Sequence, residues 1–344
     1  MKHLPTTLIF GMSLAFALDD ARAQVPGAVQ QVDSVQQRRQ IEQAARSYQA
    51  GESAPELYPG ENADVGPQSV VVFKPRKTCF EGWADAQYFH TDNMFLNEHD
   101  KHGADVLVSA AQFALAPSPY ELAGGKFAPR LGYRHEWYNF GLVSDKQVQA
   151  YDFQAQSLRQ VRLNEFDFNA QTGFIDGRWM RNDWIVETGF HYQRLLTWPH
   201  FDQFYREAVP RWGARRIFRL DPTKALTIGY DGDYRFTGTA LPPPSFNHDF
   251  NDRTDHSLSV AYTQSLCQPA TVQPYYRFQY THFTRGENRN DYLHSFGIAL
   301  YCSITSQIGL RAFVGYDIMD TNSQLAQDYK KLDAGGGLNL TIRF

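Results

Sequence analysis

Charged side chains recur in this sequence at strand-like spacing, and their chemistry is that of an electric field rather than a reaction centre. Arg211, Arg215 and Arg219 keep one parity, so on a strand they share a face. Glu165 with Asp167 and Asp231 with Asp233 alternate in the same way, and Arg235 continues the second pair. Arg130, Arg134 and Glu136 form another row, as do Glu187 and His191, while Arg277 and Arg311 are single members of later rows. Facing one enclosed space, such rows would orient polar or charged solutes. Packed densely, they would neutralise one another and fill it.

Reaction chemistry fits these residues poorly. Hydrolysis by a nucleophile needs Ser and His on one face, yet His294 and Ser295 are adjacent and point to opposite sides of a strand. The acid pair Asp231/Asp233 lacks a His–Asp partner. His248 and His256, with Asp249, Asp252 and Asp255, match no standard metal-ligand spacing. Gly335-Gly336-Gly337 is not followed by a helix and is no phosphate loop. The expectation is therefore no enzyme, no cofactor and no metal.

The elements that must carry these rows are strands. From Glu81 onward twelve candidates repeat, near 81–95, 104–116, 127–141, 161–179, 183–197, 206–220, 224–238, 253–267, 270–285, 289–304, 307–319 and 329–344. Parity sorts each into two faces. Phe166, Phe168, Ala170, Thr172 and Phe174 oppose Glu165, Asp167, Asn169 and Gln171; Leu226, Ile228, Tyr230, Tyr234 and Phe236 oppose Thr227, Asp231, Asp233 and Arg235. Ile308, Leu310, Ala312, Val314 and Tyr316 oppose Arg311 and Asp317, with Tyr275 and Phe313 as apolar exceptions on polar faces. Tight turns at 180–183, 221–223, 268–269 and 305–307 alternate with longer polar connections. Such alternation belongs to a barrel with short turns on one side of a membrane and loops on the other. Trp179 and Trp184 flank one tight turn, and Trp137, Trp198 and Trp212 lie near other strand ends, as an interfacial aromatic girdle requires.

Composition narrows the class further. A net charge of −4 leaves no basic footprint for nucleic acid. No stretch approaches 18 consecutive apolar residues, and a mean hydropathy of −0.48 excludes helical membrane spans. Residues 1–23 read as a secretory leader: Lys2 and His3, an apolar run from Leu8 to Leu18, then Ala21-Arg22-Ala23 as a cleavage site. Residues 24–80 read as a periplasmic segment, with a short helix over 30–49 that Gly51 would end and a Pro/Gly-rich extended stretch after it. The helix stripe (Val32, Val35, Ile41, Ala44, Tyr48) is thin, which suits weak docking or a partner bound through residues 30–50. Cys79, Cys267 and Cys302 allow one disulfide with an odd thiol left over.

The last stretch joins these observations. Leu338, Leu340, Ile342 and Phe344 share one face, Asn339, Thr341 and Arg343 the other, and the chain closes on an aromatic ring. In this it resembles bacterial outer-membrane β-barrel proteins of the porin-like kind, which end in an amphipathic strand with a terminal Phe that serves membrane assembly. The arginine row set against acids resembles the cross-lumen field of diffusion porins. Together these give a closed all-β antiparallel transmembrane barrel of about twelve strands over 81–344, in the outer membrane of a Gram-negative cell. The expected function is a pore for small polar or charged solutes, with outer-membrane lipid around it. The alternative is a non-conducting barrel acting as an adhesion, structural or export-accessory module.

Overall fold

The computed structural model describes residues 25–49, 79–142, 147–152, 157–240, 247–267, 269–305, 307–323 and 326–343. The leader, Gly51, the stretch 52–78, Pro242-Pro243-Pro244 and Phe344 lie outside them. A helix, α1 (Val25–Gln49), comes first, followed by β1 (Phe80–Thr91), β2 (Ala104–Leu115), the short β3 (Tyr120–Leu122) and β4 (Gly125–Phe140). Then come β5 (Gln147–Asp152), β6 (Ser157–Arg162), a 3-10 turn (Leu163–Phe166), β7 (Phe168–Arg181) and β8 (Trp184–Thr197). The wall continues through β9 (Gln203–Asp221), β10 (Lys224–Thr239), β11 (Arg253–Cys267), β12 (Ala270–Phe283), β13 (Asn290–Ser303), β14 (Ile308–Thr321) and β15 (Tyr329–Arg343).

Every wall strand pairs antiparallel with its neighbours, and β15 returns to β1 from Glu81↔Arg343 to Thr91↔Asp333. Twelve strands close the barrel. The expected boundaries hold to within a few residues except in one stretch. The candidate strand 161–179 is three elements: β6, which pairs only with β5 in a separate two-stranded hairpin, then the 3-10 turn, then β7.

Tight turns gather at one end, with the beginning of β1 and the close of β15; the long connections gather at the other. By the rule for outer-membrane barrels, the turn end is periplasmic. All three cysteines lie at that end as free thiols, so the one disulfide that the sequence allows is not formed. They are too far apart along the rim: Cys267 and Cys302 stand on either side of Ala270, two strand spacings apart.

The closing seam depends on small residues. Gly335 and Gly337 face inward, and a Cβ on Gly335 would clash with the Tyr88 carbonyl oxygen and with Phe89 Cβ. One on Gly337 would lie 3.0 Å from the Arg311 guanidinium. These glycines thus provide close approach at the seam.

Two outcomes check this geometry. Gly335→Val should prevent closure of β15 on β1 and abolish the heat-modifiable, compact band on electrophoresis, whereas Gly173→Ala, with no atom within 4 Å of its Cβ position, should keep it. A membrane-impermeant maleimide should leave Cys79 and Cys267 unlabelled on intact cells and label both once the outer membrane is opened; labelling of intact cells would reverse the orientation.

Candidate functional site: the helix-filled lumen

Pairing fixes which residues look inward, because cross-strand partners share a face. The inward rows of β4, β8, β9, β10, β12 and β14 carry Arg130, Arg134, Glu136, Glu187, His191, Arg211, Arg215, Asp231, Asp233, Arg235, Arg277 and Arg311. Three expected lining residues are elsewhere. Glu165 sits exposed in the 3-10 turn and bonds the Arg162 amide at 3.0 Å. Asp167 ends that turn and takes hydrogen bonds from the Phe140 amide (2.7 Å) and Asn139 (3.1 Å). Burial pushes its carboxyl up from the usual aspartate range, and those bonds oppose the shift. Arg219 lies at the periplasmic rim, 68% exposed and 3.5 Å from Asp183.

The faces of β7 are reversed from expectation. Phe168, Ala170, Thr172 and Phe174 point inward and are buried, and Gln171 points outward. Phe168 and Ala170 belong to an apolar wall in the outer half of the lumen, with Phe89, Val106, Val108, Tyr138, Phe140, Leu195 and Tyr205, while Phe174 lies under Arg130 and beside His191. Parity alone could not place this face, since lipid and a dry lumen select the same side chains.

What the apolar wall packs against is α1. The helix lies inside the barrel, and the expectation of a periplasmic segment is corrected for these residues. Ala28, Val29, Val32 and Val35 form its stripe, and Val32 and Val35 are fully buried against that wall. Met94, Phe95, Val148, Val161, Leu163 and Phe166, from the outer loops and the hairpin, extend the same cluster over the outer mouth. Phe95 and Phe166 meet edge-to-face at 5.2 Å.

Beside and below this stripe the helix makes polar and charged contacts with the wall. One turn below Val35, Arg39 bonds Glu136, reaches Asp85 at 3.1 Å and lies 4.9 Å over the Trp83 ring. Arg38 pairs with Asp333 at 2.8 Å and is clamped 4.6 Å from each of Phe89 and Phe313. Phe313, an exception to the polar parity, is thereby explained. Asp33 accepts from Arg235 at 2.9 Å, within a cluster that also holds Glu207, Asp233, Arg253 and Asp255. Gln36 donates to Gln193 at 3.1 Å, and Lys331 donates to Ser34 at 3.3 Å. Within the 30–50 stretch, Asp33, Ser34, Gln36, Arg38 and Arg39 therefore meet the barrel's own wall.

The wall is also cross-linked behind the helix. Arg215 joins Glu187 (3.1 Å) to Asp231 (2.9 Å), and Asp176 joins Arg130 (3.1 Å) to His191 (2.9 Å). Arg311 holds Asp85 at 2.8 Å. Arg211 and Arg277 differ: among the described residues neither is in a direct ion pair, and they face Asp33, Asp231, Asp233 and Asp255 across open space. Both line a cavity of about 60 Å³ beside Gln36, Gln37 and Gln40 of the helix.

Sequence reading missed Asp33, Arg38 and Arg39 because the helix was placed outside the barrel. It missed Asp85, Asp176, Lys331 and Asp333, although their parity within β1, β7 and β15 carried the signal.

The exterior settles the environment. Leu131, Ile175, Phe190, Leu258, Phe296, Ile298, Leu310, Val314, Leu338 and Ile342 project outward and are exposed, in a band around the barrel. Trp184 and Trp212 are exposed on the same surface. A closed sheet satisfies its backbone internally, and an apolar belt on it fits only hydrocarbon. This is a membrane-spanning barrel of the outer-membrane type.

No family model and no characterised relative matches the chain by sequence. Solved structures similar in shape include an outer membrane channel from Pseudomonas putida F1, with 9% identity, 82% of this chain and 100% of that chain covered, and a TM-score of 0.48. The beta domain of the Bordetella autotransporter Brka has 12% identity, 77% and 100% coverage, and a TM-score of 0.44. The transport unit of the Escherichia coli autotransporter AIDA-I has 9% identity, 79% and 93% coverage, and a TM-score of 0.45. Likeness of this degree extends to the barrel and no further.

The seat of Arg39 yields a measurable expectation. Arg39→Met leaves Asp85 and Glu136 with Arg311 and Arg134 as partners but strips each of one buried bond, a loss of about 1–3 kcal/mol. The temperature at which the heat-modifiable band converts should fall, and Arg39→Lys should recover part of the loss.

Proposed function

We propose that this barrel is a channel for small polar or charged solutes whose resting state is closed by its own helix α1. The observation that carries this reading is the chemistry of the helix seat. From Asp33 to Arg39 the helix is held by ion pairs, hydrogen bonds and guanidinium–ring contacts, and the wall behind it is lined with both signs of charge. A wall of that kind stays hydrated when the helix shifts, whereas a wholly apolar seat would collapse or stay dry. Arg211 and Arg277 share the cavity beside the helix with Asp33, Asp231, Asp233 and Asp255, so both signs of charge meet a solute there. A twelve-strand lumen lies between filled eight-strand barrels and open porins, wide enough for one helix of roughly 10–12 Å.

The second reading is the non-conducting module, supported by how completely the helix and outer loops occupy the lumen. Planar-bilayer recording separates the two. The full chain should show rare, brief openings; removal of residues 25–49 should give steady stepwise current, and Arg38→Ala with Arg39→Ala should raise the opening frequency in the full chain. In the helix-deleted barrel, Arg211→Glu with Arg277→Glu should shift the reversal potential towards cation preference. Silence from a helix-deleted barrel that still runs as a compact band would leave only the non-conducting module.

A further inference from the structure

The lipid-facing surface carries one arrangement that the channel reading does not use. Arg194 on β8 and Arg206 on β9 are direct cross-strand partners, and both are exposed. They point outward, since their neighbours Gln193 and Glu207 meet inside the lumen at 3.3 Å. Like charges directly opposite one another on a sheet are destabilising. Here nothing in the described structure neutralises them. Arg194 spends its Nε on Gln171 at 2.7 Å, and among the described residues no carboxylate lies within ion-pair distance of either guanidinium.

Their height on the barrel is defined by the rows around them. The row joined by backbone pairing reads Gln171, Arg194, Arg206, Gly238 across β7 to β10. The next outward row towards the periplasm carries Tyr192 and Phe236, and begins the apolar belt. That belt runs down β8 to Trp184; eight residues at about 3.3 Å, tilted as barrel strands are, span roughly 20 Å, close to the height of a lipid-facing band. The two arginines therefore stand at its outer border, where headgroups begin. Gly238 deepens the spot: a Cβ there would lie 2.7 Å from Arg206 Nε, so its absence lets the guanidinium lie against the sheet.

We infer that Arg194 and Arg206 form a binding site for the phosphate of an outer-leaflet lipid. An oxyanion placed between the guanidiniums removes their repulsion and accepts forked hydrogen bonds from each. The acyl chains would run down over Tyr192 and Phe236, which a free anion could not exploit.

The test uses the full chain folded in neutral detergent. Its readout is the temperature at which the heat-modifiable band converts, with and without lipid A, a phosphorylated glycolipid. Lipid A should raise that temperature for the native chain, and dephosphorylated lipid A or inorganic phosphate at equal concentration should not. Arg194→Gln with Arg206→Gln should lose the rise. If that double variant gives no compact band, the single variants replace it, and each should lose part of the rise. An equal rise in the variants, or with dephosphorylated lipid, overturns the phosphate site. An equal rise with inorganic phosphate overturns the lipid as its source. None of these results depends on whether the channel conducts.

Discussion

Backbone satisfaction in hydrocarbon is the constraint from which the other features follow. A strand in lipid has no water to bond its amides and carbonyls, so the first and last strands must pair with each other. The pairing of β1 with β15 does this, and the inward Gly335 and Gly337 let the seam form beside Phe89 and Arg311. Closure with an even number of strands puts both ends of the wall on one side of the membrane. It also forces half of all strand residues into a narrow interior, where charge must be paired or hydrated.

The helix meets that second demand and creates a third. Its stripe covers the apolar outer half of the lumen, and its charged sides complete clusters that the wall leaves open: Arg39 between Asp85 and Glu136, Asp33 against Arg235, Arg38 against Asp333. Removing one partner from such a cluster costs more than the pair contributes, which holds the helix in one register. The same polarity sets the seat apart from an ordinary protein core. Buried ion pairs can exchange for water when the helix moves, and a packed apolar interface cannot. The direction of α1 follows from its contacts: Val29 lies with Met94 near the outer loops, and Arg39 lies with Asp85 nearer the periplasmic turns.

Inside and outside use opposite electrostatic logic at the same height. Within the lumen Gln193 and Glu207 bond one another, while one residue along each strand Arg194 and Arg206 face outward without acids. A strand that alternates between two solvents can satisfy both only because its side-chain period is two.

Much of the architecture was legible in the sequence. Alternation in β10 to β15, the tight turns and the amphipathic close at Leu338–Ile342 sufficed for strand number, closure and the lipid face, because each depends on local period and turn chemistry. The inward direction of Arg134, Glu187, Arg215 and Asp231 followed from the same parity. Three things were decided only in three dimensions. The inward face of β7 was set by the helix that packs on it, and parity cannot distinguish a dry lumen from lipid. Glu165 and Asp167 left the strand pattern because a hairpin and a 3-10 turn interrupt it. The helix itself was visible between residues 30 and 49, but its thin stripe reads as weak until the barrel wraps it. Val32 and Val35 then need no wide apolar face, since the wall supplies the remaining partners and charge fills the rest.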